Sequence, residues 1–304
     1  MMKKWAWTWA GLMALAITVG SNAAERKLRV TATTSMVADL ARQVGGDRVQ
    51  VEALMGPGVD PHLYKATATD ISKLQRAQVI LYSGLLLEGK MDDLFAKMRG
   101  AKKKVYAVTQ DLPKDKLLMP ADGSGHPDPH VWFDVQLWSQ CVPTVVRALS
   151  EADPGGKQVY EQSGKITQDK LAKLHHWAIS RTGELPKENK ILITSHDAFS
   201  YFGQAYGFEV VGLQGISTVT EAGLADVAKL GDFIKARKVK AIFVESSVAP
   251  TAIKRISADT GVKIGGELFS DAMGTPGQME DGYDVGTYEG MIRHNINTVV
   301  NALK

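Results

Sequence analysis

Short β-branched runs alternate with amphipathic segments along most of this chain, and that alternation limits the folds it can adopt. A strand is predicted at residues 28–33 and a helix at residues 36–44, where two glycines end it. Further strands are predicted at residues 49–54, 79–82, 105–108, 191–194, 209–211, 241–244 and 262–264, with helices between them. A β–α alternation of this kind predicts α/β architecture, with parallel sheets covered by helices on both faces.

One long amphipathic segment separates the two halves of this pattern. Residues 160–181 contain no proline and no glycine after Gly164, and they predict a continuous helix with Ile166, Leu171, Leu174 and Trp177 on its packed face. We therefore predict two Rossmann-like lobes, residues 24–154 and 185–304, joined by one long rigid helix within residues 155–184. Because a helix is a stiff connector, we expect large hinge closure to be difficult.

The first residues have the composition of a secretory signal peptide. Lys3 and Lys4 are followed by an apolar stretch at residues 10–19 and then by small residues. We predict a signal peptide of residues 1–23 with cleavage after Ala23, or alternatively after Ala24. An uncleaved anchor is the other reading, but the apolar stretch is shorter than the about 20 residues that a membrane span needs.

Cysteine content and charge restrict where the mature protein acts. Cys141 is the only cysteine, so we expect neither a lipid-modified N-terminal cysteine nor an internal disulfide, and we predict that Cys141 is a buried hydrophobe. A soluble export product without a membrane anchor suits the periplasm, and we expect a monomer. The net charge of +3, with no dense basic patch interleaved with aromatics, gives no case for nucleic-acid binding.

Four polar clusters are predicted to lie beyond the carboxyl ends of strands, where open α/β sheets bind their ligands. They occupy residues 56–62, 128–134, 195–199 and 268–274. The first two clusters share the tripeptide Asp-Pro-His, ending at His62 and His130. Proline stiffens each turn, and a metal site gains from ligands that are already held in place. Asp60 and Asp128 could instead be Asx-turn residues that the histidines merely follow; the repetition of the motif favours metal ligation.

The third cluster contains Ser195, His196 and Asp197 in sequence. A catalytic triad needs side chains that converge from separate places, so adjacency argues against one. We predict that Ser195 or Asp197 caps the following helix and that His196 faces the cleft. Glu245, at the end of a later strand, is a candidate to accept a hydrogen bond from a ligating histidine. Alternatively, the two serines after Glu245 cap a helix.

The remaining histidines are weaker candidates. His175 and His176 are adjacent on the long helix and cannot share a face, and His294 is predicted to be solvated. His126 lies in a short flexible approach to the second Asp-Pro-His motif and is at most a transient ligand.

Five motifs in order, Asp-Pro-His, Asp-Pro-His-Val-Trp, Ser-His-Asp-Ala-Phe, Glu-Ser-Ser and Ser-Asp-Ala-Met-Gly, resemble the TroA-like family of zinc and manganese receptors of ABC importers. The resemblance extends over essentially the whole mature chain. It implies two lobes bridged by a rigid helix, a metal buried between them and a membrane permease as partner. Carried over position by position, it implies the ligands His62, His130, His196 and Asp271.

Two departures from the family pattern bear on the metal. Many zinc members have a long loop rich in histidine and acidic residues before the second histidine motif, where this chain has only residues 121–127. Manganese-selective members often have glutamate at the position of His196. Three imidazoles and one carboxylate suit Zn²⁺. If Asp271 bound through both oxygens, the higher coordination number would admit Mn²⁺ or Fe²⁺.

A zinc-dependent hydrolase that uses the three histidines is the alternative function. Catalytic zinc keeps one position open for water or substrate. Asp271 as a fourth protein ligand would close that position, so we expect a receptor and not an enzyme.

Overall fold

The computed structural model describes residues 27–120 and 125–304. The predicted signal peptide, residues 1–23, lies outside these described residues. Within the described part of the chain, no helix is both long and apolar enough to cross a membrane.

The N-terminal half contains one four-stranded parallel sheet. Its strands are β1 (Leu28–Ala32), β2 (Val49–Ala53), β3 (Val79–Tyr82) and β4 (Lys104–Ala107), in the order β2-β1-β3-β4. The helices that connect and follow these strands are α1 (Ser35–Gly45), α2 (Ala68–Arg76), α3 (Asp92–Gly100), α4 (Val135–Ser139) and α5 (Val142–Ala152). The order places the carboxyl ends of β1, β2 and β3 side by side, which is the edge that the sequence predicted for ligand binding.

The C-terminal half repeats this arrangement after helix α6 (Lys157–Thr182). Strand β5 (Ile191–His196) pairs in parallel with β6 (Glu209–Gln214), β7 (Ala241–Glu245) pairs in parallel with β8 (Lys263–Leu268), and β5 lies beside β7. The remaining elements are helices α7 (Ser200–Tyr206), α8 (Leu224–Arg237), α9 (Thr251–Thr260) and α10 (Tyr288–Leu303), and a hairpin of β9 (Met279–Glu280) and β10 (Tyr283–Asp284). Each predicted strand is present, and the α/β prediction is confirmed.

Helix α6 is continuous, as predicted, and contacts helices of both halves, including α1, α5 and α10. A Cβ at Gly164 would lie only 2.6 Å from Val146 Cγ2, so the glycine allows α5 and α6 to approach closely. Leu171 and Leu174 are buried as predicted, but Ile166 is 49 % exposed, so its place on the packed face was predicted wrongly. The buried face instead follows Tyr160, Gly164, Thr167, Leu171, Leu174, Ala178 and Thr182.

One hydrophobic core runs through both halves of the chain. Phe133 and Phe199, from opposite halves, stack with ring centroids 4.2 Å apart, and both belong to this core. Cys141 is buried in the same core, which confirms that prediction, and burial raises the pKa of its thiol. The lobes are therefore packed on each other, while the boundaries at 24–154 and 185–304 stay a prediction.

Candidate metal centre

The structure brings together the four residues that the sequence singled out. His62 lies between β2 and α2, His130 between β4 and α4, His196 at the end of β5, and Asp271 after β8. Among the described residues, these four form a group in which one ligand atom of each lies within 4.8 Å of the others, and all four are buried. The strand ends of both halves therefore meet at one point, as expected for ligand sites of parallel sheets.

Asp271 stands between two of the histidines. Its Oδ1 lies 3.3 Å from His130 Nε2, and its Oδ2 lies 3.4 Å from His196 Nε2. The Nε2 atoms of His62 and His130 lie 3.3 Å apart. Three imidazole nitrogens and one carboxylate thus converge from four separate segments, which is a donor set suited to a four-coordinate dication.

Both Asp-Pro-His motifs form the same turn. Asp60 Oδ1 accepts a hydrogen bond from the backbone N–H of His62 at 2.8 Å, and Asp128 Oδ1 accepts one from that of His130 at 2.9 Å. The aspartates are therefore Asx-turn residues, and the turn is what delivers each imidazole to the centre. The Asx-turn interpretation is confirmed, and it is compatible with metal ligation because the turn directs each imidazole to the centre.

Asp128 and Glu245 hold the outward-facing nitrogens of two histidines. Asp128 Oδ1 lies 2.7 Å from His130 Nδ1, which holds a proton there, so that Nε2 faces the centre and can offer its lone pair once its own proton is displaced. Glu245 Oε1 accepts the backbone N–H of His196 at 2.8 Å, and its Oε2 lies 2.5 Å from His196 Nδ1. That second contact is not aligned as a hydrogen bond, so it is electrostatic.

The serines after Glu245 do not cap a helix, because α9 begins only at Thr251 and has no side-chain cap. Ser247 Oγ instead lies 2.8 Å from Ser270 Oγ and donates a hydrogen bond to Asp271 Oδ2 at 3.3 Å. The fourth cluster is therefore oriented by the segment that follows β7, which the sequence analysis did not foresee.

One prediction about the Ser195-His196-Asp197 segment, the helix cap, is wrong. Helix α7 begins at Ser200, and neither Ser195 nor Asp197 bonds its backbone, so the predicted cap is wrong. Ser195 lies within β5, and its buried Oγ has no hydrogen-bond partner among the residues that the structure describes. A serine hydroxyl without a histidine partner also gives no support to the triad, in agreement with the sequence argument.

The charges of the centre shift its pKa values in opposite directions. Burial lowers the pKa of His130, but Asp128 and Asp271 outweigh it and raise that pKa to about 9. Burial likewise opposes protonation of His196, yet Glu245 and Asp271 raise its pKa well above 6.5. Burial dominates at His62, whose pKa falls to about 3. Despite burial, the adjacent His196 and His130 hold the pKa of Asp271 well below its usual value.

The remaining histidines, His126, His175, His176 and His294, do not belong to the group of His62, His130, His196 and Asp271. His126 and His176 are exposed, and His175 is half-buried with Nδ1 3.4 Å from the hydroxyl of Tyr206. His294, which was predicted to be solvated, is half-buried: its side chain is 16 % exposed, and its Nδ1 lies 2.7 Å from Glu280 Oε2.

Contacts between the halves surround the centre, and sequence reasoning missed them. Trp132 Nε1 donates to the carbonyl of Ser270 at 3.1 Å, and the backbone N–H of Met273 donates to Ser35 Oγ at 2.9 Å. Each pair is separated by more than a hundred residues, so no local pattern could have indicated it. These bonds fix the segment that carries Asp271 against the N-terminal half.

The chain is similar in sequence and fold to known metal-binding proteins. The family described as zinc-uptake complex component A, periplasmic, matches residues 30–302. The manganese-binding lipoprotein MntA of Bacillus subtilis is 46% identical, over 93% of this chain and 92% of its own length. The zinc-binding protein TroA of Treponema pallidum is 45% identical, over 92% and 90%. The solved structure of the Treponema protein matches with a TM-score of 0.86, covering 91% of this chain and 99% of that one.

These matches extend over nearly all described residues and confirm the resemblance that the five motifs carried. They give no support to the hydrolase alternative, because the family consists of solute receptors and not of enzymes. The chain belongs to the ZnuA/TroA family of metal-binding, substrate-binding proteins of ABC transporters.

Proposed function

We propose that this protein binds one divalent transition metal through His62, His130, His196 and Asp271 and delivers it to the permease of an ABC importer. The observation that carries the proposal is the convergence of these four buried side chains within 4.8 Å. A buried site that uses up four protein ligands suits capture and transfer of an ion better than hydrolysis, which needs an open coordination position.

Zinc is the metal that the donor set favours. Three imidazole nitrogens and one carboxylate match its four-coordinate habit, and the general affinity order places zinc above manganese and iron. Manganese or iron is the second candidate, supported by Asp271, whose two oxygens both face the centre. The names of the relatives leave the choice open, since one is called zinc-binding and another manganese-binding.

We further propose that the protein works in the periplasm as an unanchored monomer after removal of residues 1–23. The first 140 residues contain no cysteine that could carry a lipid, whereas the relatives MntA and PsaA are named lipoproteins. The mass of the protein from a periplasmic extract tests this proposal. A chain that begins at Ala24, or at Glu25, supports it, and a lipidated or full-length chain contradicts it.

We also propose that the lobes, residues 24–154 and 185–304, change their relative position little, because α6 packs on both of them. Small-angle scattering with and without zinc tests the stiffness of this connection. A radius of gyration that changes strongly on loading would contradict it.

Metal content and competition together test the proposed function. Protein purified without added metal should contain about one zinc per chain, and zinc should displace manganese in a competitive titration. The variant His196→Ala should lose most of the zinc affinity. His176→Ala is the matched control, because His176 is exposed and lies outside the group. Tighter binding of manganese would overturn the choice of zinc, and equal effects of both variants would overturn the ligand set.

A further inference from the structure

One threonine of an otherwise accessible loop is buried against the opposite half of the protein. The loop at residues 215–223 connects β6 to α8, and Thr218 in it is only 8 % exposed, whereas Ser217, Val219 and Thr220 are exposed. Thr218 Oγ1 donates a hydrogen bond to Asp60 Oδ2 at 2.5 Å. This bond crosses from the C-terminal half to the loop that carries His62.

Asp60 connects that threonine directly to His62. Its Oδ2 accepts from Thr218, and its Oδ1 accepts from the backbone N–H of His62 at 2.8 Å. One carboxylate therefore holds both the hydroxyl of one half and the turn that presents a metal-facing imidazole in the other half.

The loop that carries His62 also approaches the C-terminal half at Gly58. Gly58 has φ +69°, and a Cβ there would lie 3.4 Å from the carbonyl oxygen of Ser246. The loop thus lies close to the C-terminal half at both positions, and Thr218 provides the hydrogen bond that reaches the Asx turn itself.

The partner of Asp60 differs from that of its counterpart in the second Asp-Pro-His motif. Asp128 Oδ1 bonds the ring nitrogen Nδ1 of His130 in the same turn. Asp60 Oδ2 instead accepts a hydrogen bond from Thr218. The ring of His130 is consequently held by the carboxylate of its own turn, although the Tyr201 hydroxyl of the other half donates to the Asp128 carbonyl at 3.0 Å. In the His62 turn, by contrast, the carboxylate itself is bonded by a residue of the other half.

We propose that Thr218 is a positioning residue that acts through Asp60 on His62 and thereby sets the rate at which the metal leaves the centre. The proposal rests on the proposed metal-receptor function. A small local shift between the loop of Thr218 and the loop of Asp60 is enough to break the bond between them, and breaking it frees the turn that carries His62. Affinity differences among variants of one site arise mostly in the dissociation rate.

The test compares zinc release from three variants of the full mature protein. Zinc-loaded protein is mixed rapidly with an excess of a chromogenic chelator, and the release of zinc is followed by absorbance. Thr218→Val removes the hydroxyl at nearly constant shape and should speed release about tenfold, because it leaves an oxygen of the half-buried Asp60 carboxylate without its hydrogen bond. Thr218→Ser keeps the hydroxyl and should release zinc at nearly the wild-type rate. Thr220→Val is the control for the same substitution at an exposed position of the loop.

A double-mutant cycle separates positioning of His62 from a general structural role. In the His62→Ala background, Thr218→Val should change the zinc release rate by less than about twofold, because the residue on which it acts is gone. A wild-type release rate in Thr218→Val would overturn the proposal. An equally large effect with and without His62 would also overturn it. Failure of the wild-type protein to bind zinc would instead refute the proposed function.

Discussion

Zinc binding to this protein should release protons. In the metal-free centre, protons on two histidines balance the negative charges of the neighbouring carboxylates. His130 has a pKa of about 9 and His196 a pKa well above 6.5, owing to the carboxylates of Asp128, Glu245 and Asp271. Both histidines are therefore charged near pH 7, whereas His62, with its pKa of about 3, is neutral. Since a ligating imidazole must be neutral, binding of one zinc should displace about two protons.

The size of the pH effect follows from this count. Each displaced proton changes the apparent affinity about tenfold per pH unit, so two protons change it about ten-thousandfold between pH 6 and pH 8. Histidines with ordinary pKa values near 6.5 would instead give an affinity that levels off above about pH 7. The apparent zinc affinity should therefore rise with pH until the pH exceeds the raised pKa values of His130 and His196.

Calorimetry measures the proton count directly. Zinc is titrated into the metal-free protein at pH 7 in two buffers of different ionisation enthalpy, and the difference in heat gives the protons released per zinc. Titrations against a chelator of known pH dependence at pH 6, 7 and 8 give the slope independently. Release of fewer than about half a proton at pH 7 would refute the proposed charge balance of the centre.

Three further predictions follow from individual contacts. Glu245→Gln should weaken zinc binding about 10- to 100-fold in a chelator competition, because it removes the charge beside His196 Nδ1; an unchanged affinity would contradict that role. Tyr288→Phe should lower the free energy of unfolding in urea by about 1–3 kcal/mol, because the buried hydroxyl of Tyr288 donates to the Trp132 carbonyl at 2.6 Å. Tyr283→Phe, at a partly exposed site, is the control and should change that free energy little. The metal-free protein should lose thermal stability from pH 6.5 to 9. The raised pKa of His130 stabilises the folded state below pH 6.5, and that contribution disappears as the pH passes about 9. A melting temperature that does not change over this range would contradict the prediction.

The sequence was sufficient to place the three histidines together because their determinants are local, whereas Asp271 was assigned only through the resemblance to the TroA-like family. Hydrophobic periodicity predicted the strands, and ligand residues follow strand ends, so His62, His130 and His196 could be placed at one edge. The Asp-Pro-His motif also predicted its own turn, which the bonds from Asp60 and Asp128 to the following histidines confirm.

The features that sequence reasoning missed depend on distant partners. The same tripeptide uses its aspartate differently in its two copies, because Thr218 is available to Asp60 and the ring of His130 to Asp128. Ile166 was expected on the packed face of α6 because its side chain is apolar. The buried face instead includes the small residues Gly164 and Thr167, and Ile166 is exposed. Small residues at a helix contact are visible only once the neighbouring helix is in place.

X-ray absorption at the zinc edge of the loaded protein tests the central proposal most directly. We predict one zinc with three imidazole nitrogens and one carboxylate oxygen at about 2.0–2.2 Å. In Asp271→Ala the three imidazoles should remain while the carboxylate oxygen is lost or replaced by water. Fewer than three imidazoles, or a spectrum that Asp271→Ala leaves unchanged, would contradict a centre built from His62, His130, His196 and Asp271.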